Sequence, residues 1–305
     1  MVSVTANVAA AQIKPRKGDY VANLARIGEL FTQLEGDAPP PDVLVLPETA
    51  LTGYFLEGGV RDVARTAAEV FRDLQSAYQS SVVRPDAMLD VVIGFYEVDA
   101  GIYYNSAISA TLAADPTSAR VNHLHRKFFL PTYGVFDEKR FVARGHQLDA
   151  FSTRFGPAAV LICEDVWHSV TPAVIALKGA EALYVISASP ARDFSGDGIG
   201  SVSRWTNTIL PGIAMEHGIW VVHCGLVGFE GGKGFGGSSQ IIDPWGKTVV
   251  VGPLDEECII RASINFDDVA IARAASPLLP DLREAIGDLT AELTAAARCG
   301  LPESG

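Results

Sequence analysis

Three short segments set a charged or nucleophilic residue at the end of an apolar run, which folding alone does not require. Glu48 lies in Leu46-Pro47-Glu48-Thr49, directly after the run Val43-Leu44-Val45-Leu46. A carboxylate at the carboxyl end of a buried strand stands where open α/β sheets bind ligands, a suitable place for a general base. Lys127 lies in His125-Arg126-Lys127-Phe128-Phe129-Leu130-Pro131, where three apolar residues and a proline follow it. That pattern draws the ammonium inward, where it needs a carboxylate or a developing anion as partner. Cys163 closes the run Val160-Leu161-Ile162 and is followed by Glu164-Asp165-Val166-Trp167. A nucleophile at a strand-to-helix turn faces the ligand side together with nearby backbone N–H groups. Thiolate is the reactive species, so Cys163 requires a base or cation close by. Each residue also has a plain structural reading. Glu48 caps or pairs at a strand end, Lys127 reaches solvent with Arg126, and Cys163 is an inert buried thiol. Glu164-Asp165 weighs against the last reading, because a core strand does not usually continue as two acids.

The elements that must position these residues follow from periodicity. Val21, Leu24, Ile27, Phe31 and Leu34 recur at helical spacing and predict an amphipathic helix over Asp19–Glu35. A second helix is expected over Val60–Tyr78. Val43–Leu46 reads as a short strand covered on both faces. Further strands are expected at Leu89–Val98, Asn105–Leu112, Arg120–His125, Ala158–Cys163, Ala182–Ser187, Ile219–Cys224, Ser238–Ile242, Thr248–Val251 and Glu257–Ile264. Helices at Val170–Gly179 and Val202–His217 separate some of these. Such an order suits a mixed sheet layered with helices in one domain. Asp243-Pro244-Trp245-Gly246 is a turn signal between two strands. The glycine-rich run Gly228–Gly237 lacks G-K-[ST] and leads into a strand, so it reads as a flexible loop rather than a phosphate site. From Phe266 the chain reads as a helical tail, with Leu278, Leu282, Ile286, Leu289 and Leu293 forming a stripe that covers either a partner subunit or its own domain.

Composition narrows the partners. The chain has 305 residues and a net charge of −12, with no run rich in Lys or Arg, which disfavours nucleic acid and anionic membrane surfaces. The four cysteines lie far apart, and His123 and His125 lack a Cys or carboxylate at ligand spacing, so neither a metal site nor a cofactor is expected. The first residues, MVSVTANVAAAQ, lack the features of a signal peptide, and no segment is apolar enough to span a bilayer. A cytoplasmic protein with reduced thiols is the expectation.

Together the three segments resemble the nitrilase (carbon–nitrogen hydrolase) superfamily. The motifs are PETALTGY at Pro47–Tyr54, HRKFFLPTYGVFDEKRF at His125–Phe141 and LICEDVW at Leu161–Trp167, in the family's order Glu, Lys, Cys. The resemblance implies a four-layer αββα sandwich over residues 1–265, with residues 266–305 as a C-terminal helical tail at a possible dimer interface, and a homodimer or larger homo-oligomer. It implies an enzyme acting on non-peptide amide bonds: Cys163 attacks the carbonyl, Glu48 takes the thiol proton, and Lys127 with the Glu164 N–H holds the oxyanion. Glu138, in FDEKRF, matches the second glutamate of related amidases. The Lys127 cation beside Cys163 is expected to favour the thiolate. Cys163-Glu164-Asp165 departs from the Cys-Trp-Glu of true nitrilases and favours amides over nitriles. The motifs look most like the glutamine-amidase domain of NAD synthetases and free-standing amidases, and no synthetase loop is present. Tyr54, Tyr133, Trp167, Pro190 and Phe194 fall in or beside the matched loops as pocket walls, and Arg192 is a candidate partner for a substrate carboxylate.

Overall fold

A computed structural model describes residues 3–190 and 205–298. Strands β1 (Thr5–Gln12), β2 (Val43–Val45), β3 (Met88–Asp99), β4 (Ile102–Ala113), β5 (Arg120–Arg126) and the late β14 (Cys258–Asn265) form one six-stranded sheet. Its order is β14-β1-β2-β3-β4-β5, with β2 parallel to both neighbours. A second six-stranded sheet holds β6 (Ala150–Ser152), β7 (Pro157–Ile162), β8 (Ala182–Ser187), β9 (Trp220–Gly225), β12 (Gln240–Ile242) and β13 (Thr248–Val251). Its order is β13-β12-β9-β8-β7-β6, and β7, β8 and β9 run parallel.

Strand alternation assigns the faces. Ala6, Val8 and Ala10 of β1 meet Val160, Ile162, Tyr184 and Val222 of the other sheet in one buried cluster, so the sheets pack on each other. Ala9 and Ala11 point the opposite way, onto helices α1 (Tyr20–Glu35) and α3 (Ala67–Ser81). Behind the second sheet, Leu161, Leu183 and Val221 pack on α4 (Val170–Leu177) and α5 (Leu210–His217). The result is the four-layer αββα sandwich rather than a single mixed sheet.

Two local expectations are corrected. The helix expected over Val60–Tyr78 is broken: a single turn, α2 (Val60–Val63), stops before α3. Arg65 leaves the helix to exchange backbone hydrogen bonds with Tyr96 and Val98 of β3. Thr66 then caps α3, accepting from the Glu69 N–H while Glu69 accepts from the Thr66 N–H. The expected flexible loop at Gly228–Gly237 is instead a hairpin, β10 (Val227–Glu230) and β11 (Lys233–Gly236). Gly231 and Gly232 both take positive φ at its turn, which the Gly-Gly pair permits without strain. The tail continues as α6 (Asp267–Ala275) and α7 (Leu278–Arg298). Leu278, Ile286, Leu289 and Leu293 of its stripe are exposed, and Leu279 is the residue of α7 buried against the body of the chain. No helix among the described residues is long and apolar enough to cross a membrane.

Candidate active site

The sequence-predicted residues converge where strands of both sheets end. Glu48 opens the turn after β2, and Gly94 of β3 allows it to lie there. A Cβ on Gly94 would come within 2.4 Å of the Thr49 nitrogen and 2.6 Å of the Glu48 Cα. Lys127 is the first residue past β5, held by its own N–H on the Asn105 carbonyl (2.8 Å) and by the Gly145 N–H on its carbonyl (2.7 Å). Cys163 begins the short 3-10 turn Cys163–Trp167 straight after β7, with φ at 45°. A left-handed backbone on a non-glycine residue costs on the order of 1–3 kcal/mol and is a common feature of functional turns. Glu164 follows in the first turn, where backbone N–H groups have no intrahelical acceptor.

Glu48, Lys127 and Glu138 form one buried cluster. The Lys127 ammonium lies 2.8 Å from Glu48 Oε1 and 2.9 Å from Glu138 Oε1, with Lys127 and Glu48 wholly inaccessible. One cation among two carboxylates leaves a negative excess, which neutral donors spread. Asn105 Nδ2 donates to Glu48 Oε1 (2.7 Å) and to Glu138 Oε1 (3.3 Å), and the Tyr54 hydroxyl donates to Glu138 Oε1. The Ala188 N–H donates to Glu48 Oε2 (2.7 Å), while Ser189 Oγ of the next residue stands 3.7 Å from Cys163 Sγ. The residues just past β8 therefore touch both Glu48 and Cys163. Two buried acceptors have no partner in the cluster: Glu138 Oε2 and Asn105 Oδ1.

The electrostatics separate the roles these groups can take. Burial alone would lower the Lys127 ammonium, but Glu138 and Glu48 together hold it well above the ordinary lysine value, so it stays a cation. Burial raises the Glu138 carboxyl; Lys127 opposes this without cancelling it, and Glu48 adds to it. Cys163 is raised far above an ordinary thiol, by burial first and by the Glu48 charge second, with Lys127 pulling the other way. Burial and the Glu48 charge thus act against the thiolate that the Lys127 cation favours.

The other predicted residues are spread around this centre. Tyr54 is buried in it, with its carbonyl accepting from the Tyr96 hydroxyl (2.7 Å). Tyr133 is exposed and donates its hydroxyl to Glu164 Oε2 (2.8 Å). Trp167 is half-exposed, its ring 5.1 Å from that of Trp205. Pro190 bridges by its backbone to Phe235 of β11, whose ring stacks on Phe55 at 5.5 Å. Arg192 and Phe194 lie outside the described residues. Three contributors went unread in the sequence: Asn105, the Ala188 N–H and Glu230. The last accepts the N–H of Tyr54 (3.0 Å) and of Phe55 (2.8 Å), fastening the hairpin over the Glu48 loop. Asn105, an amide at the head of the strand expected over Asn105–Leu112, was a visible signal for the first. A backbone N–H leaves none.

A two-sheet αββα sandwich with a cysteine, a lysine and two glutamates gathered at its strand ends is the arrangement that the resemblance to the nitrilase superfamily implies. The carbon–nitrogen hydrolase family profile matches residues 7–274, and the chain belongs to that family. It is 28% identical over 264 residues to a glutamine-dependent NAD(+) synthetase of Thermotoga maritima, covering 86% of this chain and 42% of the relative. The chain thus spans less than half the length of that synthetase. A 2-oxoglutaramate amidase of Bacillus subtilis is 26% identical, over 82% of this chain and 88% of its own. The crystal structure of a carbon–nitrogen hydrolase from Helicobacter pylori superposes with a TM-score of 0.81 at 24% identity, covering 94% of this chain and 98% of the other.

Proposed function

We propose that this enzyme is an amidase that hydrolyses small-molecule primary amides through a thioester on Cys163. The observation that carries it is the buried Lys127 ammonium shared by Glu48 and Glu138, with Cys163 on a turn of positive φ at the same strand ends. Glu48 takes the thiol proton as Cys163 Sγ attacks the carbonyl carbon. Lys127, a permanent cation, and the Glu164 N–H hold the oxyanion. Glu138 Oε2, buried without a partner among the described residues, is the acceptor offered to the substrate's amide N–H. The C–N bond breaks, the proton leaves with ammonia, and the acyl group remains on sulfur. Water, deprotonated by Glu48, then attacks the thioester to give the carboxylic acid and the free thiol.

The dipeptide Glu164-Asp165 after the nucleophile supports amides over nitriles. A glutaminase that hands ammonia to a separate synthetase is the second reading, favoured by the match to the amidase portion of glutamine-dependent NAD(+) synthetases. The exposed stripe of α7 supports a dimer with that helix at its interface. An ammonia-release panel tests substrate class: aliphatic and aromatic amides, glutamine, asparagine, N-carbamoyl compounds and nitriles. Release from amides is expected. Turnover confined to nitriles, or to N-carbamoyl compounds, contradicts the proposal, and turnover of glutamine alone selects the second reading.

A further inference from the structure

Cys163 and Lys127 come from different sheets, and the contact between those sheets is mostly apolar and non-directional. Something directional has to hold a sulfur and an ammonium in register, since a displacement of about 1 Å can cost about 100-fold in rate. Asp165, two residues past Cys163 and wholly buried, makes those directional contacts. Its Oδ1 accepts the N–H of Phe128 and of Phe129, each at 2.9 Å, from the residues immediately after Lys127. Its Oδ2 accepts the His125 Nε2–H (2.8 Å), from two residues before Lys127, and the Ile162 N–H (3.0 Å), from the residue before Cys163. Four donors on one carboxylate thus bracket Lys127 on both sides and close the turn that holds Cys163 at positive φ. His125 is itself buried, so the pair is shielded from water and salt.

We infer that Asp165 is a positioning residue that sets the Cys163 sulfur against the Lys127 ammonium, with His125 bracing it. It touches neither the thiol nor the ammonium. It acts by fixing both backbones, and the inference rests on Cys163 and Lys127 being the nucleophile and the oxyanion partner. The isosteric change Asp165→Asn keeps an acceptor for Phe128 and Phe129 but presents an N–H to the Ile162 N–H, opening the Cys163 side of the bracket.

The test measures kcat and KM for Asp165→Asn on the best amide of the panel, normalised to the fraction of Cys163 that iodoacetamide titrates. The expected result is kcat lower by about 100-fold with KM within about threefold, and Cys163 alkylation slower by about tenfold. A merely structural role lowers the titratable fraction and leaves kcat per site unchanged, and that result overturns the inference. If Asp165→Asn yields no folded protein, His125→Gln decides: kcat lower by about tenfold at unchanged KM is expected, and wild-type kcat overturns it. Cys163→Ala run in parallel separates the two levels. If it retains activity, the amidase mechanism fails. If it is inactive while Asp165→Asn turns over normally, only the positioning role fails.

Discussion

Two cysteines stand near the carboxyl ends of parallel strands in the same sheet, and the contrast between them shows what a nucleophile requires here. Cys163 follows β7 and Cys224 lies in β9; both are buried. Burial raises both thiols well above the ordinary value, so the protonation state of the resting thiol does not distinguish them. Surroundings do. Cys224 keeps regular strand geometry, with its sulfur 3.3 Å from the Ala11 carbonyl and 4.0 Å from Ser239 Oγ, and neither group is an acid or a base. Cys163 has left the strand, and Glu48, Lys127 and Glu138 all act on it electrostatically. A thiol at a strand end becomes a candidate nucleophile when the turn lifts it toward a charge cluster, not because burial activates it.

The contrast can be broken by substitution. Cys163→Ala should lower kcat/KM by about 10⁴-fold or more, as removal of a nucleophile does. Cys224→Ala should leave it within about twofold and cost about 1 kcal/mol of stability in denaturant titration. Equal losses at the two positions would dissolve the distinction. Lys127→Met should lower kcat by about 10²–10³-fold, the scale of one lost oxyanion donor. It should also destabilise by about 3–5 kcal/mol, because two buried carboxylates lose their cation. Glu138→Gln should lower kcat by about 100-fold while retaining most stability, since Gln still accepts from Tyr54 and Asn105.

The smallest expected effect concerns pH. Both thiols are raised in the folded state, so above the ordinary thiol value of 9.0 the unfolded chain loses protons that the folded chain keeps. Their contribution to stability is complete below that value and declines as pH rises. The urea midpoint should therefore fall from pH 9 upward, and the wild-type protein should show no thiolate absorbance at neutral pH. A neutral-pH thiolate signal that disappears in Cys163→Ala would reverse the electrostatic account.

Much of the site was legible because it depends on side-chain type at strand ends. Glu48, Lys127, Cys163 and Glu138 sit in motifs whose order survives folding, and the structure gathers them. What escaped depended on the third dimension. Ala188 contributes a backbone N–H, which any residue carries. Asp165 appeared as one of two acids after the thiol, and only the fold brings it beside His125, Phe128 and Phe129. His125 itself looked like half of an unsupported H-x-H, yet its partner lies 40 residues away in sequence. Periodicity could not assign strands to two separate sheets, because β2 and β7 are both continuous apolar runs with no mark of which faces which. The helix break at Arg65 was invisible for a related reason: apolar spacing continues through it, while Thr66 and Glu69 carried an unread capping signal.

The central claim is a covalent one, that an acyl group passes through Cys163 sulfur. Wild-type enzyme and Glu48→Gln, mixed with an amide that the panel shows to be turned over and then quenched in acid, can be weighed as intact protein and mapped by peptide. The account predicts a mass gain equal to the acyl group, located on Cys163, which accumulates further when Glu48 can no longer activate water. Cys163→Ala protein that hydrolyses the same amide at the wild-type rate, or an acyl adduct on any other residue, would contradict it.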